Sequence, residues 1–265
     1  MTAGFTRPAG MGRWSLLAFV AILFAGGLVG CGSRFPDPQR GGEYERVVLL
    51  EEGTGTWCVN CPRAAENIEE LLEKMPLDTT KVVVLALHSV APDTFATAET
   101  EARVARLGMA AFPTIVFDAT EKAQNDNVST LETLLEEHRK IGSPLKIGLT
   151  ASVSADSVLY EINIEASSKN KSSVEGMLHV ALVEDSVAFT NAIWSYLAHV
   201  VRRIPEPASA DSCSLDPGEI LTLHRSLVRE GEWILPLTAV VWVESGENLE
   251  VIQAASSKIE SEPPN

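Results

Sequence analysis

The chain has 265 residues, 45% of them hydrophobic and 22% charged, with no low-complexity tract, which is the composition of a globular protein with room for two domains. Its net charge is −15, and removal of residues 1–30, whose only charged side chains are Arg7 and Arg13, takes it to −17. Such acidity argues against nucleic acid or an anionic bilayer surface as a partner, and four cysteines are too few for a disulfide-rich scaffold.

Residues 1–14 carry Arg7 and Arg13 and no acid, and Ser15 to Gly30 is an unbroken apolar and small run. This is the pattern of an export signal. A spanning helix is the alternative, but the run is shorter than the roughly 20 residues a bilayer needs. The run ends in Leu28-Val29-Gly30-Cys31, and there the chain resembles bacterial lipoprotein precursors. That resemblance implies cleavage before Cys31, lipid on its sulfur and a mature chain anchored to the membrane through Cys31. Gly32 stands where an inner-membrane retention signal would have Asp, which suggests the outer membrane of a two-membrane cell.

Residues 32–44 hold Pro36, Pro38 and a Gly41-Gly42 pair without periodicity, and 31–44 reads as a tether. From Arg46 the pattern alternates. Arg46–Glu51 reads as strand, Pro62–Met75 as helix, Lys81–His88 as buried strand, Thr97–Leu107 as helix and Phe112–Phe117 as strand. A last helix is expected after a capping box at Ser129-Thr130-Leu131-Glu132, stopped by Gly142. This predicts an α/β layer fold over 45–143 that folds alone. After Pro144 the period becomes two, through Leu145, Ile147 and Leu149 and again through Val158, Tyr160, Ile162 and Ile164. Further strands are expected at Met177–Glu184, Ile220–Ser226, Leu235–Glu244 and Leu249–Ala254, giving a β-sandwich over 144–257 and a polar tail at 258–265. Ala188–Ser214, with Trp194, Tyr196, His199 and Cys213, breaks the pattern as a functional or packing excursion.

The chemistry concentrates in Thr56-Trp57-Cys58-Val59-Asn60-Cys61-Pro62, at the junction of the first strand and first helix. Two thiols two residues apart at a helix start can close a small disulfide, and unpaired helix N–H groups favour a thiolate. A zinc pair would need two further ligands at comparable spacing, which the sequence lacks, and no metal or cofactor is expected. An inert disulfide formed in an oxidising compartment stays open as an alternative. The histidines His88, His138, His179, His199 and His224 show no ligand spacing and read as structural or exposed. Cys213 reads as a buried free thiol or a partner for another chain.

Residues 46–142 resemble the thioredoxin superfamily at Trp57-Cys58-Val59-Asn60-Cys61 and at Phe112-Pro113-Thr114. Val59-Asn60 departs from the family's frequent Gly-Pro, and the long Cys61–Pro113 spacing implies an insertion around Ala91–Ala98. The whole layout, with Leu50-Glu51-Glu52 ahead of the cysteines and His199-Val200-Val201-Arg202 behind, looks like the 28-kilodalton outer-membrane lipoprotein family. The resemblance implies a thioredoxin-like α/β domain followed by an all-β, immunoglobulin-like sandwich. It further implies a thiol–disulfide oxidoreductase whose partners are thiols or disulfides of exported proteins. Cys58 would be the nucleophile, Cys61 the resolving thiol and Glu52 a buried proton relay. Trp57, Phe112, a cis Pro113 and Thr114 would meet substrate. The competing expectation is a surface binding or adhesion lipoprotein in which the same disulfide is structural.

Overall fold

The computed structural model describes residues 41–75, 81–90, 92–124, 127–154, 156–205, 210–229, 233, 235–246 and 248–259. The expected signal segment, Cys31 and most of the tether lie outside the described residues. Among those described, the first part of the chain forms β1 (Val48–Thr54), α1 (Cys61–Glu73), β2 (Val82–His88), α2 (Ala98–Arg106), β3 (Thr114–Phe117), β4 (Glu121–Ala123) and α3 (Val128–Arg139). The second part forms β5 (Leu145–Ser154), β6 (Ser157–Ala166), β7 (Val174–Val187), β8 (Leu197–Arg203), β9 (Asp211–Leu215), β10 (Ile220–Val228), β11 (Leu237–Ser245) and β12 (Val251–Ile259).

One mixed sheet runs through both parts in the order β12-β11-β7-β8-β2-β1-β3-β4, with β9 also on β7. β1 and β2 are parallel, in register from Val48↔Val82 to Thr54↔His88, and β3 is antiparallel to β1. β8 joins the parts: it lies antiparallel to β7 and meets β2 in parallel at Ala86↔Val200. β2, inside this sheet, is apolar from Val82 to Leu87 and buried along its whole length, because both of its faces are covered. α1 and α3 cover one face of β1, β2 and β3 through Ile68, Leu71, Leu131 and Leu135. α2 covers the other face, where Val104 packs with Leu49, Leu85, Val183 and Trp242. β10, β6 and β5 make a separate antiparallel sheet whose inward residues, Tyr160, Ile162 and Ile164, pack on β7, β9, β11 and β12. This part has a sandwich-like layout.

The expected thioredoxin-like α/β domain followed by a separate immunoglobulin-like sandwich is therefore not what the chain forms. It is a predominantly β protein with three short helices among the described residues, and its nine-stranded sheet crosses the expected boundary at 143/144. The physical reason lies at the edges. β8, read as part of an excursion, takes the free edge of β2, and the far end of the sheet curls back to β1. There the Gln253 side chain accepts from Val47 N at 2.8 Å and donates to Glu45 O and Leu145 O at 3.0 and 2.8 Å. Arg46 is 1% exposed and donates to Asp118 at 3.1 Å and to Glu250 at 3.3 Å. Tyr44, at the end of the expected tether, pairs with Ser143 and donates its hydroxyl to Glu165. β12 runs on through Lys258 and Ile259. The cap of α3 is Asn127, accepting from Thr130 N, instead of Ser129.

Candidate functional site

β1 ends at Thr54, a tight turn closes with Cys58 N donating to Gly55 O at 3.0 Å, and α1 begins at Cys61 with Pro62 behind it. Cys58 and Cys61 form a disulfide with their Cα atoms 5.4 Å apart. Cys58 precedes the helix instead of sitting in its first turn, so the two sulfurs differ in setting. Cys58 is 5% exposed and Cys61 is sealed. Trp57 and Val59, on either side of Cys58, are exposed. A Cβ on Gly55 would come within 2.8 Å of the Trp57 indole, so glycine lets that ring fold back over the turn.

Two segments hold the turn. Thr56 N donates to Asp93 Oδ2 at 2.7 Å, and the Trp57 indole N–H donates to Val90 O at 3.0 Å. Asp93 also accepts from Phe95 N and lies 2.8 Å from His88 Nδ1. Burial pushes the Asp93 carboxyl up, but His88 and the two backbone N–H groups outweigh it and hold the carboxyl below its ordinary range. From the segment between β7 and β8, Asn191 donates to Thr56 O at 3.1 Å and accepts from Ile193 N and Trp194 N. Val187, Trp194, Leu197 and Val200 enclose the disulfide in one apolar cluster, with Phe95, Phe112, Phe189 and Ile193 at its margin. Sequence reasoning misses Asp93 and Asn191. Asp93 follows a proline within the expected insertion, the one local signal available, whereas Asn191 lies over a hundred residues away and has none.

Of the residues expected to meet substrate, Trp57 and Phe112 come together in an edge-to-face contact with centroids 5.8 Å apart. The Phe112–Pro113 peptide is cis, and Pro113 leads into β3, where Thr114 pairs with Gly53 of β1. The Thr114 hydroxyl is buried and donates to Ala111 O at 2.7 Å, so it is committed within the protein. Glu52 is 3% exposed on the α1 side of β1, in line with Val48 and Leu50. Burial pushes its carboxyl up to about 8, the Thr54 hydroxyl pulls the other way, and the charge of Glu69 adds to the rise. Among the described residues, neither Glu52 Oε1 nor Thr54 Oγ1 has a hydrogen-bond partner within bonding geometry. Cys213 is a buried free thiol, its Sγ 3.5 Å from Gly176 O, and burial pushes its pKa up to about 11. Cys31 lies outside the described residues.

A disulfide in this setting can exchange by attack on Cys58 Sγ, on the residue that keeps 5% exposure, with Cys61 as the leaving thiolate at the start of α1.

No protein-family model matches the chain, and no curated protein matches it. Two solved structures share its overall course. HBP35 of Porphyromonas gingivalis is 17% identical with a TM-score of 0.67, over 84% of this chain and 78% of that one. Protein AGR_C_4864 from Agrobacterium tumefaciens is 14% identical with a TM-score of 0.52, over 84% of this chain and 99% of that one. Both likenesses concern fold alone. They span both parts of the chain, and neither is described as a thioredoxin or as a 28-kilodalton outer-membrane lipoprotein. With the predominantly β architecture, they overturn the two resemblances read from the sequence and leave a chain similar in fold to these two proteins.

Proposed function

We propose that the protein is a thiol–disulfide exchange protein of the bacterial envelope, acting on exported proteins through Cys58 and Cys61 and anchored by lipid on Cys31. The observation that carries this reading is the unequal setting of the two sulfurs at the junction of β1 and α1. In the oxidised form a client thiolate attacks Cys58 Sγ, the Cys58–Cys61 bond breaks, and Cys61 leaves as a thiolate that takes up a proton. A second client thiolate then attacks the mixed disulfide, so the client gains a disulfide and two electrons stay on the protein's dithiol. The reverse sequence reduces a client disulfide. In this reading Glu52, whose carboxyl burial pushes up to about 8, is assigned the proton exchange with the buried Cys61.

Cys61→Ser is expected to leave clients trapped on Cys58 as mixed disulfides, because no thiol remains to resolve them, and Cys58→Ser is expected to trap few. The readout is a non-reducing gel of acid-quenched, alkylated cells, with adducts identified by mass spectrometry. Burial of both sulfurs favours a second reading, a structural brace in a binding or adhesion lipoprotein. In that case both substitutions destabilise alike, by about 2–5 kcal/mol, and neither traps anything. The anchor rests on the sequence at Leu28–Cys31. Fatty-acid label on the wild type and none on Cys31→Ala supports it, and label on the variant removes it.

A further inference from the structure

We propose that a pocket beside the disulfide selects client segments carrying Lys or Arg close to the reacting cysteine. The proposal rests on the exchange reading above and names the class of segment that reaches Cys58. The pocket lies between α1, which contributes Pro62, Ala65 and Glu66, and the segment leading into β8, which contributes Ile193, Trp194 and Tyr196. It adjoins the reacting bond. Pro62 directly follows Cys61, and Ala65, Ile193 and Trp194 belong to the apolar cluster that encloses both sulfurs.

The lining is apolar and aromatic below and acidic at its edge. Trp194 is 6% exposed, and its indole N–H has no acceptor among the described residues. Tyr196 is 46% exposed and sits in the field of Glu66, Glu69 and Glu73, which lie along one stripe of α1; burial first, and then these charges, push its hydroxyl's pKa up. Glu69 is held by His199 at 2.9 Å. Glu66 has Arg63 at 3.7 Å, an exposed pair that an incoming cation can displace at little cost. A long basic side chain suits such a site. Its methylene stem lies against Ile193 and the rings of Trp194 and Tyr196, and its charged head meets the carboxylates and the aromatic face. A free acidic or small thiol finds no complement there.

The test uses the reduced full-length protein and three peptide–glutathione mixed disulfides with Arg, Gln or Glu two residues from the cysteine, followed by stopped-flow tryptophan fluorescence. The expected order is Arg, then Gln, then Glu, with about a fivefold or larger span at low salt that shrinks as salt is raised. Glu66→Gln/Glu73→Gln is expected to collapse that span. Glu132→Gln/Glu161→Gln, which removes the same charge from α3 and β6, is expected to keep it. Equal rates for the three peptides, or a span that survives Glu66→Gln/Glu73→Gln, overturns the pocket. The peptides themselves separate the two levels, because a wild type that exchanges with none of the three, the Arg peptide included, refutes the exchange reading itself. In that event the cysteine-to-serine versions of the peptides are titrated against the oxidised protein. Tighter binding of the Arg peptide than of the Glu peptide retains the pocket, and equal binding overturns it as well.

Discussion

At the scale of single residues, two buried carboxylates near the disulfide act on stability in opposite directions. Asp93 is held below its ordinary range by His88 and by the N–H groups of Thr56 and Phe95, so its contribution is present above the unfolded pKa and is lost as pH falls through the folded one. Glu52 behaves the other way. Its folded pKa of about 8 lies above its ordinary value of 4.5, so the unfolded chain releases a proton that the folded one keeps, and stability falls as pH rises between those values. Each pH unit within that interval costs up to about 1.4 kcal/mol. Glu52→Gln keeps the shape and removes the titration. Urea unfolding at pH 5, 6.5 and 8 is therefore expected to show a variant whose stability exceeds the wild type's by an amount that grows with pH. Equal pH profiles would mean that Glu52 ionises freely in the folded protein. A nearby residue also carries strain: Val90, whose carbonyl holds Trp57, has φ of 69°, a left-handed conformation that a β-branched residue rarely adopts.

At the scale of elements, the legible parts were those whose partners lie nearby. β1, α1, β2 and α2 follow from apolar runs and helical spacing, and α2 starts where Thr97 and Thr100 cap one another. The position of Cys58 and Cys61 between strand and helix was also legible, since a turn and a proline at the second helical position are local features. β8 was not. Leu197–Arg203 has no period of two, and His199 breaks it with φ of 53° while its ring reaches Glu69 on α1. Such a strand is defined by the edges of β7 and β2, which lie elsewhere in the sequence. A signal for the single sheet nevertheless existed. β5, β6 and β10 alternate as one-sided strands do, whereas Leu178–Val183 of β7 and Leu237–Val243 of β11 are buried throughout. Strands covered on both faces belong inside a layered sheet, not in a two-sheet sandwich with one wet side. Asn191 shows the same limit at the site, because its value depends on Thr56 lying across the fold.

At the scale of the whole molecule, the region 45–143 is bound to the rest by its sheet, its charges and its core. Without the second part, β2 loses β8 at Ala86, and Val47 loses the Gln253 side chain. Arg103 is 3% exposed, bridging Glu51 at 2.7 and 2.8 Å and Glu244 of β11, and it also lies 5.5 Å over the Trp242 ring. Burial pushes Glu244 up, but His179, Arg103 and the Trp242 N–H bring it down to about 2, so it is ionised against Arg103 at neutral pH. Removing one side of such a network leaves a buried charge short of a partner, at a cost of about 3–5 kcal/mol. Leu49, Val83, Leu85 and Leu87 would also lose the apolar surface supplied by Ala181, Val183, Val240 and Trp242. Exposing these four side chains, at about 1.5–3 kcal/mol each when fully uncovered, costs up to about 6–12 kcal/mol, which is of the same size as the roughly 5–15 kcal/mol by which a domain is stable. Residues 45–143 expressed alone are therefore expected to show no cooperative thermal transition by circular dichroism and to bind a hydrophobic dye, whereas the full chain melts cooperatively. A cooperative transition in the isolated segment would mean that β8 and β12 are docked onto an independently stable unit instead of completing its core.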